Sequence, residues 1–174
     1  MKTLIFLEYF TSQSFIDLDS DKEIFREALN ISNSIIKSFI NNNQIKNINV
    51  VRNQNLNKIK SEKINYHFTN KNKSYLDIIE KFKIDSEIIL ITPETQKLSI
   101  KFYRSVMKKF KILGSSLECI YIFSSKKKTF QQLKYFGLPT VEILDKKKLQ
   151  DKLFVSKPEY GAGSSDIYIS NYKS

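Results

Sequence analysis

Residues 3–7 read TLIFL, and whether that strand is covered on one face or on both decides the fold. A continuous apolar run leaves no polar side for water, so it predicts a strand buried on both faces, as in a parallel sheet with helices above and below. Glu8 interrupts the run and no small-residue cleavage pattern follows it. A first strand is therefore expected here rather than a secretory leader.

Outward from this strand the pattern alternates. SDKE at 20–23 reads as a capping box, and Ile24, Leu29, Ile31, Ile35, Ile36 and Phe39 supply the apolar face of a helix that Asn41–Asn43 ends. Strands are predicted at 48–51 and 64–68, a helix at 74–82, and a strand at 87–94 running into a proline-marked loop. Alternating strands and helices predict an α/β fold: a Rossmann-like, mainly parallel sheet with ligands at the carboxyl ends of its strands.

After Pro93 a helix is expected to about Phe110, then a turn at Gly114 and a second helix through LECIYIF at 117–123. KKKTFQQLKYFG at 126–137 reads as a helix closed by its terminal glycine. LPTVEIL at 138–144 resumes extended structure, and KLFVSKP at 152–158 and SDIYIS at 165–170 read as antiparallel strands around a loop. The change in character at Ser124 and Ser125 predicts two parts, 1–124 and 125–174.

Composition narrows the function classes. The 174 residues suffice for one domain and part of a second. A single cysteine, Cys119, excludes a disulfide framework and suits a reducing, cytoplasmic setting, where it is expected to be packed as an apolar residue. No apolar stretch has the length of a membrane span. The net charge of +11 invites a nucleic-acid reading, but only Arg26, Arg52 and Arg104 are arginines, and arginine is the residue that reads bases and phosphates bidentately. A solvated lysine surface is expected instead. His67 has no cysteine or second histidine beside it, which argues against a metal role. Glu8 and Tyr9 follow the first strand, where ligands gather, and a turn-forming role fits them equally.

The chemistry-bearing segment is KPEYGAGSSD at 157–166. A P-loop is excluded because Lys157 precedes the glycines and no Gly-Lys-Ser/Thr follows them. A dinucleotide fingerprint is excluded because Asp166 occupies its third glycine position and a strand, not a helix, comes next. A flexible hairpin tip remains, with backbone amides at Gly161 and Gly163 able to approach phosphate oxygens and Lys157 held on the preceding strand.

The ordered motif PE…LGSSLE.I…K.KT…L…FGLPT…VSKPEYGAGSS, from Pro93 to Ser165, resembles the junction between the N-terminal and central subdomains of ATP-grasp carboxylate-amine ligases. FLEYF at 6–10 with its following helix resembles the subset related to tyramine-glutamate ligase of methanofuran synthesis. The resemblance implies a pre-ATP-grasp α/β domain followed by the start of the ATP-grasp small subdomain. It implies that Lys126 and Lys157 contact ATP phosphates while Gly161, Ala162, Gly163, Ser164 and Ser165 close over them. Such enzymes form an acyl-phosphate that an amine then displaces.

Two departures are visible: Ser125 stands where the family places an acidic residue, and Asp166 where a glycine commonly ends the loop. The family's magnesium ligands and adenine-binding connection lie beyond the glycine loop, so the chain is expected to be the N-terminal piece of a split enzyme, completed by a second chain, or the product of a truncated gene; magnesium is expected only with the missing part, and no turnover is expected without it. A non-catalytic nucleotide-binding or protein-interaction module and a basic nucleic-acid-binding domain are the alternatives.

Overall fold

The structure, a computed structural model, describes residues 2–16, 22–144, 153–161 and 166–171. The chain divides into two compact units, residues 1–92 with 103–114, and residues 93–102 with 115–174.

The first unit is built on five strands: β1 (Lys2–Glu8), β2 (Ile45–Asn53), β3 (Ile64–Thr69), β4 (Glu87–Ile91) and β5 (Lys111–Ile112). Their spatial order is β3-β2-β1-β4-β5 and every pair is parallel. The chain steps outward from β1 to β3 and then returns to the other side of β1. This gives a Rossmann-like α/β sheet whose switch point lies between β1 and β4. Residues 4–8 are all buried, as the apolar run predicts. Phe6 aligns with Val50 on one side and Ile89 on the other, and Leu7 with Val51 and Leu90. Both side chains are wholly enclosed, which contributes about 1.5–3 kcal/mol each.

α1 (Lys22–Ile40) covers one face of this sheet, with Ile36 entering a cluster of Leu4, Phe6, Ile45, Ile48 and Val50. Ser20 of the expected capping box lies outside the described residues. The second half of the expected face is inward, with Ile36 buried and Ile35 and Phe39 packed against the same cluster, but in the first half Phe25, Ala28 and Ser32 are buried in place of Ile24 and Ile31, which are exposed. The spacing of three and four residues was disguised because its third member is a serine, and Ser32 is buried only because it has a charged partner, Arg52.

α2 (Tyr75–Ile79) is shorter than its apolar pattern and opens on a complete capping box between Ser74 and Asp77. β4 ends at Ile91, before the proline. In place of one long helix from Pro93 to Phe110 there is a 3-10 turn at Thr95–Lys97 and then α3 (Leu98–Val106). The two residues of β5 follow, a strand too short to leave a sequence period.

The second unit contains α4 (Leu117–Phe123), α5 (Lys126–Tyr135), β6 (Leu153–Ser156) and β7 (Tyr168–Asn171). Gly137 stops α5 as expected: its φ is 67°, its amide bonds to Lys134 O, and the Leu138 amide reaches back to Leu133 O, the two bonds of a Schellman ending. Residues 138–144 have no regular secondary structure. β6 and β7 pair antiparallel, as predicted. Cys119 is exposed, contrary to the expectation of a packed thiol. The apolar residues of LECIYIF are spread around α4, which buries none of them fully. Among the described residues no helix is long and apolar enough to cross a membrane.

Candidate nucleotide-phosphate site

Two places in the fold invite a functional reading, and their hydrogen bonds separate them. The first is the carboxyl end of the parallel sheet, where a Rossmann-like fold holds its ligands. Here the chain fills the position itself. Glu8 is buried and its carboxylate accepts the amides of Phe10 (3.0 Å) and Thr11 (2.7 Å), which folds the segment after β1 into a tight turn. Asn53 Nδ2 donates to Gln13 O at 2.8 Å, and Thr69 Oγ1 donates to the same oxygen at 3.1 Å. The Tyr9 amide bonds to Ile91 O across the switch point. No glycine occurs between β1 and α1 to let a pyrophosphate approach. Of the two roles open to Glu8, the structure supports the turn-forming one.

Burial raises the Glu8 pKa above the ordinary glutamate value, and the Thr11 and Phe10 hydrogen bonds and Arg52 pull against it. The protonated form is thus favoured by folding. Its contribution to stability is fully present below the unfolded-state pKa and is lost as pH rises through the raised folded value. In a carboxyl-carbon NMR titration Glu8 is expected to have a midpoint above that of an unfolded glutamate. Glu8→Gln should remove the matching pH dependence of unfolding; a midpoint at or below the ordinary value contradicts this account.

His67 is likewise structural. Its Nε2 lies 3.0 Å from Asn49 Oδ1 and its ring meets Phe82 edge-on, while burial and the charge of Lys73 lower its pKa.

The second place is the start of α5. Ser125 is the N-cap: its hydroxyl accepts the Lys128 amide and donates to the Glu159 carboxylate. The Lys126 amide bonds to Glu159 O at 3.1 Å, and the Lys126 ammonium donates to Gly161 O at 3.0 Å. Lys97 stands over the Tyr160 ring at 4.9 Å. Two segments more than thirty residues apart in sequence are thereby tied together.

Of the expected phosphate-binding residues, Lys126 and Gly161 are in direct contact. Lys157 is exposed and directly follows β6, whereas Ala162, Gly163, Ser164 and Ser165 lie outside the described residues. Gly161 avoids the left-handed region, and a Cβ there would meet Pro158 Cγ at an ordinary 3.4 Å. Local geometry therefore does not demand glycine at this position. Asp166, standing where the resemblance expects a glycine, has φ 55°, the left-handed conformation that glycine takes most readily and aspartate tolerates. Sequence reasoning missed Glu159. It noted the lack of an acidic residue at position 125; in space a carboxylate does stand beside Ser125, supplied from 34 residues away.

Among the described residues the Lys126 ammonium, a group with three donors, gives one of them to Gly161 O. Among the described residues no group of three or more His, Cys, Asp or Glu side chains is arranged to hold a metal ion. Set against protein-family models, curated proteins and solved structures, the chain matches none of them.

Proposed function

We propose that this chain carries the N-terminal α/β domain and the start of the nucleotide-clamping subdomain of an ATP-dependent carboxylate-amine ligase of the ATP-grasp kind. The observation that carries this reading is the tie between the start of α5 and the start of the glycine loop, which puts the Lys126 ammonium on Gly161. The left-handed Asp166 at the far end of the loop adds support.

In this reading Lys126 and Lys157 offset negative charge on the nucleotide phosphates, and amides of the glycine loop donate to their oxygens. A substrate carboxylate takes the terminal phosphoryl group and releases ADP, and an amine then displaces phosphate from the acyl-phosphate. Metal-dependent steps are assigned to none of the described residues. Binding and orientation of ATP are the work proposed for this chain.

Titration calorimetry with ATP tests the reading. Lys157→Ala is expected to weaken binding about tenfold or more, since a charge-assisted contact contributes roughly 1.5–3 kcal/mol. Lys46→Ala, which removes an exposed lysine on β2, should do far less. A protein with net charge +11 also attracts ATP through its overall field, and added salt suppresses that part. Equal losses for the two variants, or binding abolished by moderate salt, would reduce the site to a generic basic surface.

A further inference from the structure

The two edges of the parallel sheet differ. β5 is two residues long and begins with the exposed Lys111, features that discourage a further strand from pairing there. β3, at the other edge, has neither: INYHFT at 64–69 runs for six residues without a charge, proline or glycine and keeps a regular register with β2. The Ile48 amide bonds to Lys63 O and the Gln54 amide to Thr69 O. Alternate residues from 63 to 69 therefore face β2, and the backbone groups of Ile64, Tyr66 and Phe68 point away from the sheet. Ser61 O takes up the Ile64 amide; among the described residues no backbone group pairs with the outward amides of Tyr66 and Phe68. The strand is already held in shape. The Tyr66 and Phe68 rings stack at 5.7 Å, the Tyr66 hydroxyl accepts the Ile59 amide at 2.7 Å, and the Lys58 ammonium lies 4.4 Å from the Phe68 ring centre.

We propose that β3 is the interface of a symmetric dimer, in which the β3 edges of two copies of this chain pair antiparallel across a two-fold axis at Tyr66. With that centre Tyr66 faces its own counterpart, Ile64 faces Phe68, and Asn65 faces His67. The Tyr66 amide then meets Tyr66 O, and the Phe68 amide meets Ile64 O, once in each direction. Aromatic and aromatic–aliphatic pairs directly opposite one another stabilise neighbouring strands, and no charge stands opposite a like charge. An axis at Ile64 or Phe68 would run half of the ladder past the end of the strand. Charge also selects the occupant, because β3 is neutral and a strand of the same neutral sequence suits it. Lys63, just before β3, is engaged with its own chain, its ammonium donating to Ile40 O and Asn42 O. The Lys58 ammoniums, each over its own Phe68, fall at opposite ends of the joint ladder. The net charge of +11 opposes association at long range, and physiological salt screens that repulsion beyond about 8 Å. Since β5 is blunted, each copy has one edge to offer and the assembly closes at two. The argument stands on β3 and is independent of the nucleotide reading.

Sedimentation of the full chain is the test. Its average mass should rise from one copy toward two between about 1 and 500 μM, and added salt should strengthen the association by screening the repulsion. Over the same range, amide exchange followed by NMR should slow at Tyr66 and Phe68 and stay unchanged in β1. Phe68→Pro removes an outward donor at an edge position where proline is tolerated, and should weaken the dimer about tenfold or more. Asn65→Lys changes an exposed residue, sets two lysines diagonally across the ladder and should weaken it about threefold or more. Slow exchange of β1 shows that each variant is folded. A chain that stays a single copy at the highest concentration overturns the proposal, even where an added peptide slows exchange at Tyr66 and Phe68. So does growth beyond two copies, a dimer that added salt weakens, or a dimer that Asn65→Lys or folded Phe68→Pro leaves unchanged.

Discussion

Arg52→Ala is expected to lower the unfolding free energy by about 3–5 kcal/mol, a loss on the scale of removing a large core side chain or breaking a buried charged contact. Arg52 is wholly buried on β2. One guanidinium nitrogen donates to Asn57 O at 2.7 Å, and another to Ser32 Oγ at 2.7 Å and Asn33 Oδ1 at 3.0 Å. The side chain thus ties the middle of α1 to the segment that follows β2. Alanine leaves a void and strips a partner from the buried hydroxyl of Ser32, an orphan that costs about 1–3 kcal/mol.

The tie is not an ideal one, and that shapes a second arm of the test. The Arg52 Nε is buried with no partner, and desolvation lowers the guanidinium pKa despite the opposing influence of Tyr66 and Glu8. Arg52→Met fills most of the volume and avoids burying a charge, so it should cost clearly less than alanine. Urea unfolding compares the two variants at constant slope. A loss below about 1 kcal/mol for alanine would mean that Arg52 does not hold α1 in place. Equal losses for alanine and methionine would mean that the hydrogen bonds, and not the filled volume, carry the effect.

The same residue shows why part of the fold was legible in the sequence and part was not. β1 and β4 announce themselves because a strand covered on both faces must be apolar throughout, and TLIFL and EIILI meet that condition. The existence of α1 was equally plain. The first half of its inward stripe was not, because Ser32 is buried for a reason that lies twenty residues away on β2. β5 has only two residues and takes its place from pairing with Glu87 and Ile88. At the candidate site, lysines 126 and 157 and the glycine loop could be picked out by residue type. The role of Glu159 could not, since nothing local marks a carboxylate that will meet Ser125 across 34 residues. Cys119 was misplaced for a related reason: an apolar neighbourhood in sequence becomes a buried one only if another element covers the helix.

Amide exchange should separate the two parts of the chain by about three orders of magnitude or more, because core strands open only at a free energy near the global value while unsupported elements open at almost no cost. β1 is flanked on both sides by parallel partners, and Phe6 and Leu7 are fully enclosed. Its amides between residues 4 and 8 can reach solvent only when the first unit unfolds. Among the described residues the strands 153–156 and 168–171 have one partner strand each and little apolar cover. Residues 139–144 lack even that pairing. All of these should exchange near the rate of an unstructured peptide. The bonds from Ser125 and Lys126 to Glu159 and Gly161 make an intermediate case, since they hold one end of the glycine loop without closing a core. Lys126→Ala removes the ammonium's bond to Gly161 and should speed exchange around 159–161 while leaving β1 as slow as before. Protection of the ribbon equal to that of β1 in the isolated chain would show that it already has a supporting layer.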